Sequence, residues 1–215
     1  MKIGIIVAMD KELTQLQHLF TDGNVCVEKC GIGKVNAALG AQRMINTFHP
    51  DIIISSGCAG GNGDDLRIQD VVVSSELSYH DVYCGLAIDD KTIYGQVQGL
   101  PARYKPAPEL LEKALALSTP EVRIVPGLIV TGDWFVDTKD KMASIIEKFP
   151  DAKAVDMESC AIAQTCYINN VPFISFRVVS DMPLHDTDAS QYHNFWDTVA
   201  AHSFHVTKTF VESLL

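Results

Sequence analysis

Residues 153–181, KAVDMESCAIAQTCYINNVPFISFRVVSD, set the reading of the fold. Ala154 and Val155 end a short apolar strand. Residues 157–170 then read as a helix, with Ala161, Ile162, Thr165, Cys166 and Ile168 near 3.6-residue spacing. Asn169-Asn170 stops that helix, and Pro172 opens the next segment. Residues 173–179 are rich in β-branched and aromatic side chains, as a buried strand requires. Two acids punctuate this unit. Glu158 stands where the first strand becomes the helix, and Asp181 follows the second strand. In open α/β sheets, ligands bind beyond the carboxyl ends of strands, where both acids fall. Taken alone, Glu158 could serve only the helix dipole, and Asp181 could cap a turn before Met182-Pro183.

The same alternation recurs outward from this unit. Residues 2–8 (KIGIIVA) form a continuous apolar strand of the kind found in sheet centres. Residues 9–20 read as a helix capped by Asp10, with Leu13, Leu16, Leu19 and Phe20 as its inner stripe. Glu12 falls in its first turn, off that stripe, near the end of the first strand. Residues 25–29 form a short strand, and Gly31-Ile32-Gly33-Lys34 opens a helix over 35–48. Residues 51–56 form a strand running into Gly57-Cys58-Ala59-Gly60-Gly61. A glycine-rich loop there would let a ligand lie against bare backbone. Strands follow at 70–75, before Tyr79-His80-Asp81, and at 122–131, before Gly132-Asp133-Trp134-Phe135. Residues 91–98 alternate like a hairpin arm. Helices are expected at 106–117, 138–149 and 195–214, with a polar loop over 184–191. The sum is one α/β domain over residues 1–215. It has a mixed central β-sheet, helices on both faces and a site on one rim.

Composition narrows the class. The chain has 215 residues, 47% of them apolar, and a net charge of −10. That balance argues against nucleic acid or an anionic membrane surface as the main partner. Six cysteines (Cys26, Cys30, Cys58, Cys84, Cys160 and Cys166) are scattered without a CxxC pair. No signal peptide is visible ahead of them, so a reduced, cytoplasmic protein with buried thiols is expected. Cys26/Cys30 and His202/His205 lack a second pair, and HExxH, Walker and GxGxxG patterns are absent. No metal and no cofactor is therefore expected.

Several stretches together carry a resemblance: IGIIVAMDKE (3–12), CGIGKVNAALGA (30–41), GCAGG (57–61), DVVVS (70–74) with YHD (79–81), GLIVTGDWF (127–135), AVDMES (154–159) and RVVSD (177–181). In that order they resemble the purine nucleoside phosphorylase/hydrolase superfamily. Within it they look most like the 5'-methylthioadenosine/S-adenosylhomocysteine nucleosidases. The resemblance implies hydrolysis of an N-glycosidic bond, releasing adenine and a 5'-thio-ribose. By the same resemblance, Asp181 protonates adenine N7 and Ser180 orients it. Glu158 accepts hydrogen bonds from the ribose hydroxyls, Glu12 orients the attacking water, and Arg177 supports Glu12. Met157, Phe135 and Ala59 wall the sugar and base, and Val136 offers backbone groups to adenine. Ile32, Cys58 and Gly60 stand in the matching motifs as lining residues, while Met9 and Tyr192 fall near the 5' group. The family's homodimer implies that a partner copy closes the 5' pocket. Here Tyr83, Leu86, Ile88 and Tyr94 offer apolar surface for it.

The chain departs from the family pattern in four places. Cys58 stands where serine is usual, Asp156 replaces glutamate, residues 20–31 are trimmed, and residues 82–105 match poorly. A futalosine-type nucleoside hydrolase is one alternative, and a non-catalytic nucleoside-binding protein is another. A phosphorylase fits less well. Ser55-Ser56-Gly57 stands where those enzymes carry arginine, and Glu12 would repel phosphate.

Overall fold

A computed structural model describes residues 1–21, 23–85, 91–117, 122–185, 189–198 and 201–215. The elements run β1 (Ile3–Val7), α1 (Asp10–Leu16), β2 (Val25–Lys29), α2 (Lys34–Phe48), β3 (Ile52–Gly61), β4 (Val71–Tyr79), α3 (Pro108–Leu115), β5 (Ile124–Thr131), α4 (Lys139–Ile146), β6 (Ala152–Asp156), α5 (Ser159–Asn169), β7 (Phe173–Asp181), α6 (Ser190–Thr198) and α7 (Ala201–Leu214). The strands form one mixed sheet ordered β2-β1-β3-β6-β5-β4-β7, and β7 also pairs with β3. That extra pairing closes β3, β6, β5, β4 and β7 into a ring, with β1 and β2 extending from it. The β3–β6 and β4–β7 pairs are antiparallel, and the other pairs are parallel.

Helices cover both faces. On one, α2 contributes Ala37, Ala41 and Met44, and α5 contributes Cys160, Ile162 and Cys166 to one apolar cluster. Nearly every residue of α5 is buried, which its small and apolar sequence permits all the way round. Asn170 ends it in the left-handed conformation (φ 54°), a C-terminal role asparagine tolerates. On the other face, Leu16 of α1, Leu110 of α3 and Phe204, Phe210 and Val211 of α7 pack against β1, β3 and β7. Met142 and Ile145 of α4 join Leu128, Val130 and Val155 in a third cluster. Among the described residues, no helix is long and apolar enough to cross a membrane.

Several expectations are corrected. The segment 57–61 is not a loop. It continues β3, with a register shift at Ala59/Gly60 where the strand leaves β7 for β6. Glycine favours loops locally, but here the small residues let strands cross closely. Residues 91–98 form turns rather than a hairpin arm, and beyond them Tyr104 makes an isolated bridge to Leu77 of β4. Helix α1 stops at Leu16 and is capped by Met9, not Asp10, while Leu19 and Phe20 still pack on the core from the following turn. Asp181 ends β7 rather than following it. The C-terminal helical region begins at Ser190, earlier than expected, so Tyr192 lies within α6.

Phe210 is fully buried, its ring centroid 4.9 Å from that of Phe176 on β7. Phe210→Ala is expected to lower unfolding free energy by about 3–5 kcal/mol. Chemical denaturation monitored by circular dichroism measures it.

Candidate active site

Five elements deliver side chains to one cavity, at the end of the sheet where β1, β3 and β7 finish. It is lined by Met9, Glu12, Ile32, Cys58, Ala59, Gly60, Phe135, Val136, Met157, Glu158, Ser180, Asp181 and Tyr192, together with Ala8, Trp134, Val155 and Asp156. Every residue expected at the site therefore reaches this cavity except Arg177, which lies behind it and is 2% exposed.

Glu12 is held by backbone. Its Oε2 accepts the N–H groups of Ala8 (2.8 Å) and Met9 (3.0 Å), and Oε1 accepts that of Cys58 (3.0 Å). The sequence put Glu12 in the first turn of α1, off its buried stripe. In the fold it is 2% exposed, because β3 passes over the start of α1. Gly57 makes that passage possible: a Cβ there would sit 2.6 Å from Glu12 Oε1 and 3.3 Å from Arg177 Nη1.

Arg177 points inward from β7, and each of its three nitrogens has a protein acceptor. Nε donates to Asp156 Oδ2 (2.7 Å), Nη2 to Ser55 Oγ (2.9 Å) and Nη1 to the Phe176 carbonyl (3.2 Å). Burial opposes its charge, but Asp156, Glu158 and Glu12 outweigh burial and hold its pKa above the ordinary value. Asp156 also accepts from Thr131 Oγ1 (2.5 Å) and the Ser159 N–H (3.1 Å). Asp156 was not among the site residues expected from sequence, which marked it only as a departure from the family pattern. An arginine in the middle of an apolar, β-branched strand was the available signal, because a cation buried there needs an acid.

Glu158 is the N-cap of α5 and accepts the Gly33 N–H at 2.9 Å. Burial, and then the neighbouring Asp156 charge, push its pKa up to about 8, against a lowering by Arg177. Asp181 Oδ1 lies 2.5 Å from Ser180 Oγ, which is also 3.2 Å from the Ala59 carbonyl. Burial raises the Cys58 thiol pKa well above its ordinary value. At the open side, the Phe135 and Tyr192 rings meet edge-on at 5.0 Å, and Tyr192 Oη lies 3.7 Å from Met9 Sδ. Among the described residues, no cluster of histidine, cysteine and acidic side chains could hold a metal ion.

The pattern of the Phosphorylase superfamily matches residues 16–215. A 5'-methylthioadenosine/S-adenosylhomocysteine nucleosidase of Chromohalobacter salexigens is 38% identical over 233 aligned positions, covering 99% of this chain and 97% of the relative. The chain belongs to this nucleosidase family. Its fold agrees. The nucleosidase of that name from Neisseria meningitidis, solved with methylthio-immucillin-A, superposes with a TM-score of 0.90 at 33% identity, covering 99% of both chains. A futalosine hydrolase mutant from Helicobacter pylori superposes with a TM-score of 0.88 at 27% identity, covering 99% of both chains. Membership accounts for the mixed sheet and the strand-end cavity. The site itself rests on this chain's own geometry.

Two outcomes follow from that geometry. Gly57→Ala is expected to push the Glu12 carboxylate off the Cys58 N–H, with a stability loss of about 1–3 kcal/mol. A crystal structure and a denaturation curve of the variant check both. The second concerns pH. The Glu158 pKa is raised in the folded protein, so its contribution is complete below the unfolded value of 4.5 and is lost as pH rises through about 8. Ligand-free protein should therefore lose stability between those values, and Glu158→Gln should flatten that part of the profile in thermal denaturation.

Proposed function

We propose that this protein hydrolyses the N-glycosidic bond of 5'-methylthioadenosine and S-adenosylhomocysteine, releasing adenine and the 5'-thio-ribose. The observation that carries the reading is the convergence of Glu12, Glu158 and Asp181 on one cavity from three separate elements. Binding a nucleoside without turning it over does not require all three acids. Asp181 supplies the proton that makes adenine a better leaving group. The Ser180 hydroxyl donates to Asp181 Oδ1 at 2.5 Å and so orients that carboxyl at the end of β7. Glu158 accepts the ribose hydroxyls, bonds that strengthen as the sugar gains oxocarbenium character. Glu12, fixed by its backbone donors, orients the attacking water, with Arg177 behind it.

Hydrolysis fits better than phosphorolysis. No lysine or arginine lines the cavity among the described residues, and each nitrogen of Arg177 already has a protein acceptor. A phosphate nucleophile would meet Glu12 with no free cation to offset the repulsion. At the 5' end, Met9, Phe135 and Tyr192 make an apolar, sulfur-tolerant wall. The Tyr192 hydroxyl already faces a thioether, Met9 Sδ, which supports a thioether substituent over a hydroxyl. The likeness to a futalosine hydrolase keeps a bulkier 5' group as the second reading.

The working protein is a homodimer in this reading. Ile32, Val35 and Leu39 give the start of α2 an exposed apolar stripe, continuous in character with Trp134 and Phe135 at the cavity mouth. Of the residues first assigned to the contact, Tyr83 is exposed, whereas Tyr94 stacks on Tyr83 and Phe149 and donates to the His80 carbonyl within its own subunit. Leu86 and Ile88 lie outside the described residues. The described cysteines are all free thiols, which supports a reducing, cytoplasmic setting.

Adenine release from purified protein tests the proposal. Glu12→Gln and Asp181→Asn should each keep the fold and lose roughly 10²–10⁴-fold in kcat. Methylthioadenosine should exceed adenosine in kcat/KM by about tenfold, the order expected for a buried hydroxyl left unpaired. Formation of ribose 1-phosphate, or a preference for a futalosine-type nucleoside in competition, would contradict this assignment.

A further inference from the structure

Outside the cavity, three charged side chains join segments far apart in sequence. The Lys34 ammonium lies 2.8 Å from both oxygens of Asp81 and 3.8 Å from Asp133 Oδ2. The Lys34 backbone N–H donates to Asp133 Oδ1 at 2.7 Å, so Asp133 caps α2 from another loop. The Asp133 N–H donates in turn to Asp81 Oδ2 at 2.8 Å. The Lys34 and Asp81 side chains are 22% and 26% exposed, so water screens this pair only in part.

The linked segments are those that meet over the substrate cavity. Gly33, one residue before Lys34, donates its N–H to Glu158. Gly33 holds φ +92°, and a Cβ there would lie 3.0 Å from Asp133 Oδ1, so the turn and the Asp133 carboxylate fit only without a side chain. Trp134 and Phe135, the open wall, directly follow Asp133. We propose that Lys34 is a positioning residue: with Asp81 and Asp133 it clamps the 31–34 turn to the 132–136 loop, which keeps the Gly33 N–H on Glu158 and Phe135 over the cavity. The inference rests on the nucleosidase reading for its consequence, the binding of the ribose, but its geometry does not need turnover.

The test follows Glu158 directly. Its other charged neighbours are Asp156 on β6, Arg177 on β7 and Glu12 on α1. The Gly33 N–H favours the ionised carboxylate, so freeing that turn should raise the titration midpoint. Infrared difference titration of the ligand-free protein reads it, with Glu158→Gln identifying the band. Lys34→Gln should raise the midpoint by an amount worth about tenfold in proton affinity, the order of one lost charge-assisted hydrogen bond. Lys34→Arg, whose fork reaches both carboxylates, should restore it. Asp133→Ala separates the clamp from charge alone. Losing a negative charge lowers the midpoint by Coulomb's law, whereas a loosened turn raises it, and the clamp requires a rise. In adenine-release assays near pH 7, Lys34→Gln should raise KM about tenfold and change kcat much less. An unmoved Glu158 midpoint in Lys34→Gln, a fall in Asp133→Ala, or an arginine variant as impaired as the glutamine variant overturns the proposal. If Lys34→Gln does not fold, Asp81→Asn takes the same measurements. Wild-type protein that releases no adenine overturns the nucleosidase reading, while the infrared titration still decides the clamp.

Discussion

The buried ion pair between Arg177 and Asp156, 2.7 Å from Nε to Oδ2, is the constraint the site depends on. Three acids, Glu12, Asp156 and Glu158, surround one guanidinium inside the protein. Without that cation their mutual repulsion in a poorly solvated space would favour protonation or an opened fold. Removing one partner of such a pair commonly costs about 3–5 kcal/mol, because the remaining charge stays buried. The pair also orients the guanidinium. With Nε committed to Asp156 and Nη2 to Ser55, Nη1 is left on the side of Gly57 and Glu12. The other Asp156 oxygen, Oδ1, accepts the Thr131 hydroxyl at 2.5 Å, so both ends of the carboxylate are held.

Around this pair the labour is divided. The sheet holds the groups proposed to do chemistry. Glu12 is tied to the backbone of β1's end and β3, and Asp181 sits at the end of β7. Recognition falls to segments outside the sheet: the 31–34 turn, the 132–136 loop and α6. Their apolar side chains are half exposed, with Ile32 at 50%, Trp134 at 53% and Phe135 at 45%. Apolar surface of this kind, gathered at a cavity mouth, marks a binding face.

The sequence made the strand–helix–strand unit around Glu158 legible because its signals were local: a periodic helix, an Asn-Asn stop and a β-branched run. The strand-end acids were legible for the same reason. The closed ring of strands was not, since pairing of β7 with both β3 and β4 is decided by sheet curvature rather than by any window of residues. The glycines of 57–61 misled because their packing partners, Glu12, Met182 and Pro183, are distant in the chain. The alternation in 91–98 misled in the opposite sense, a strand-like pattern that folds into turns, held to the rest of the chain by bonds such as Gly95 N–H to the Val82 carbonyl. Arg177 was found only through resemblance, and the Lys34–Asp81–Asp133 contacts, which span up to 99 residues, carried no local sign at all.

The register between β3 and β7 has one further consequence. Cys58, which anchors Glu12, and Gly60, which pairs with Asp181, are two residues apart on the same strand. Their spacing is therefore a fixed backbone length, a ruler built into the sheet. The separation between the proposed water-orienting carboxylate and the proposed proton donor is thus set by the strand itself, not by the loops that wall the cavity.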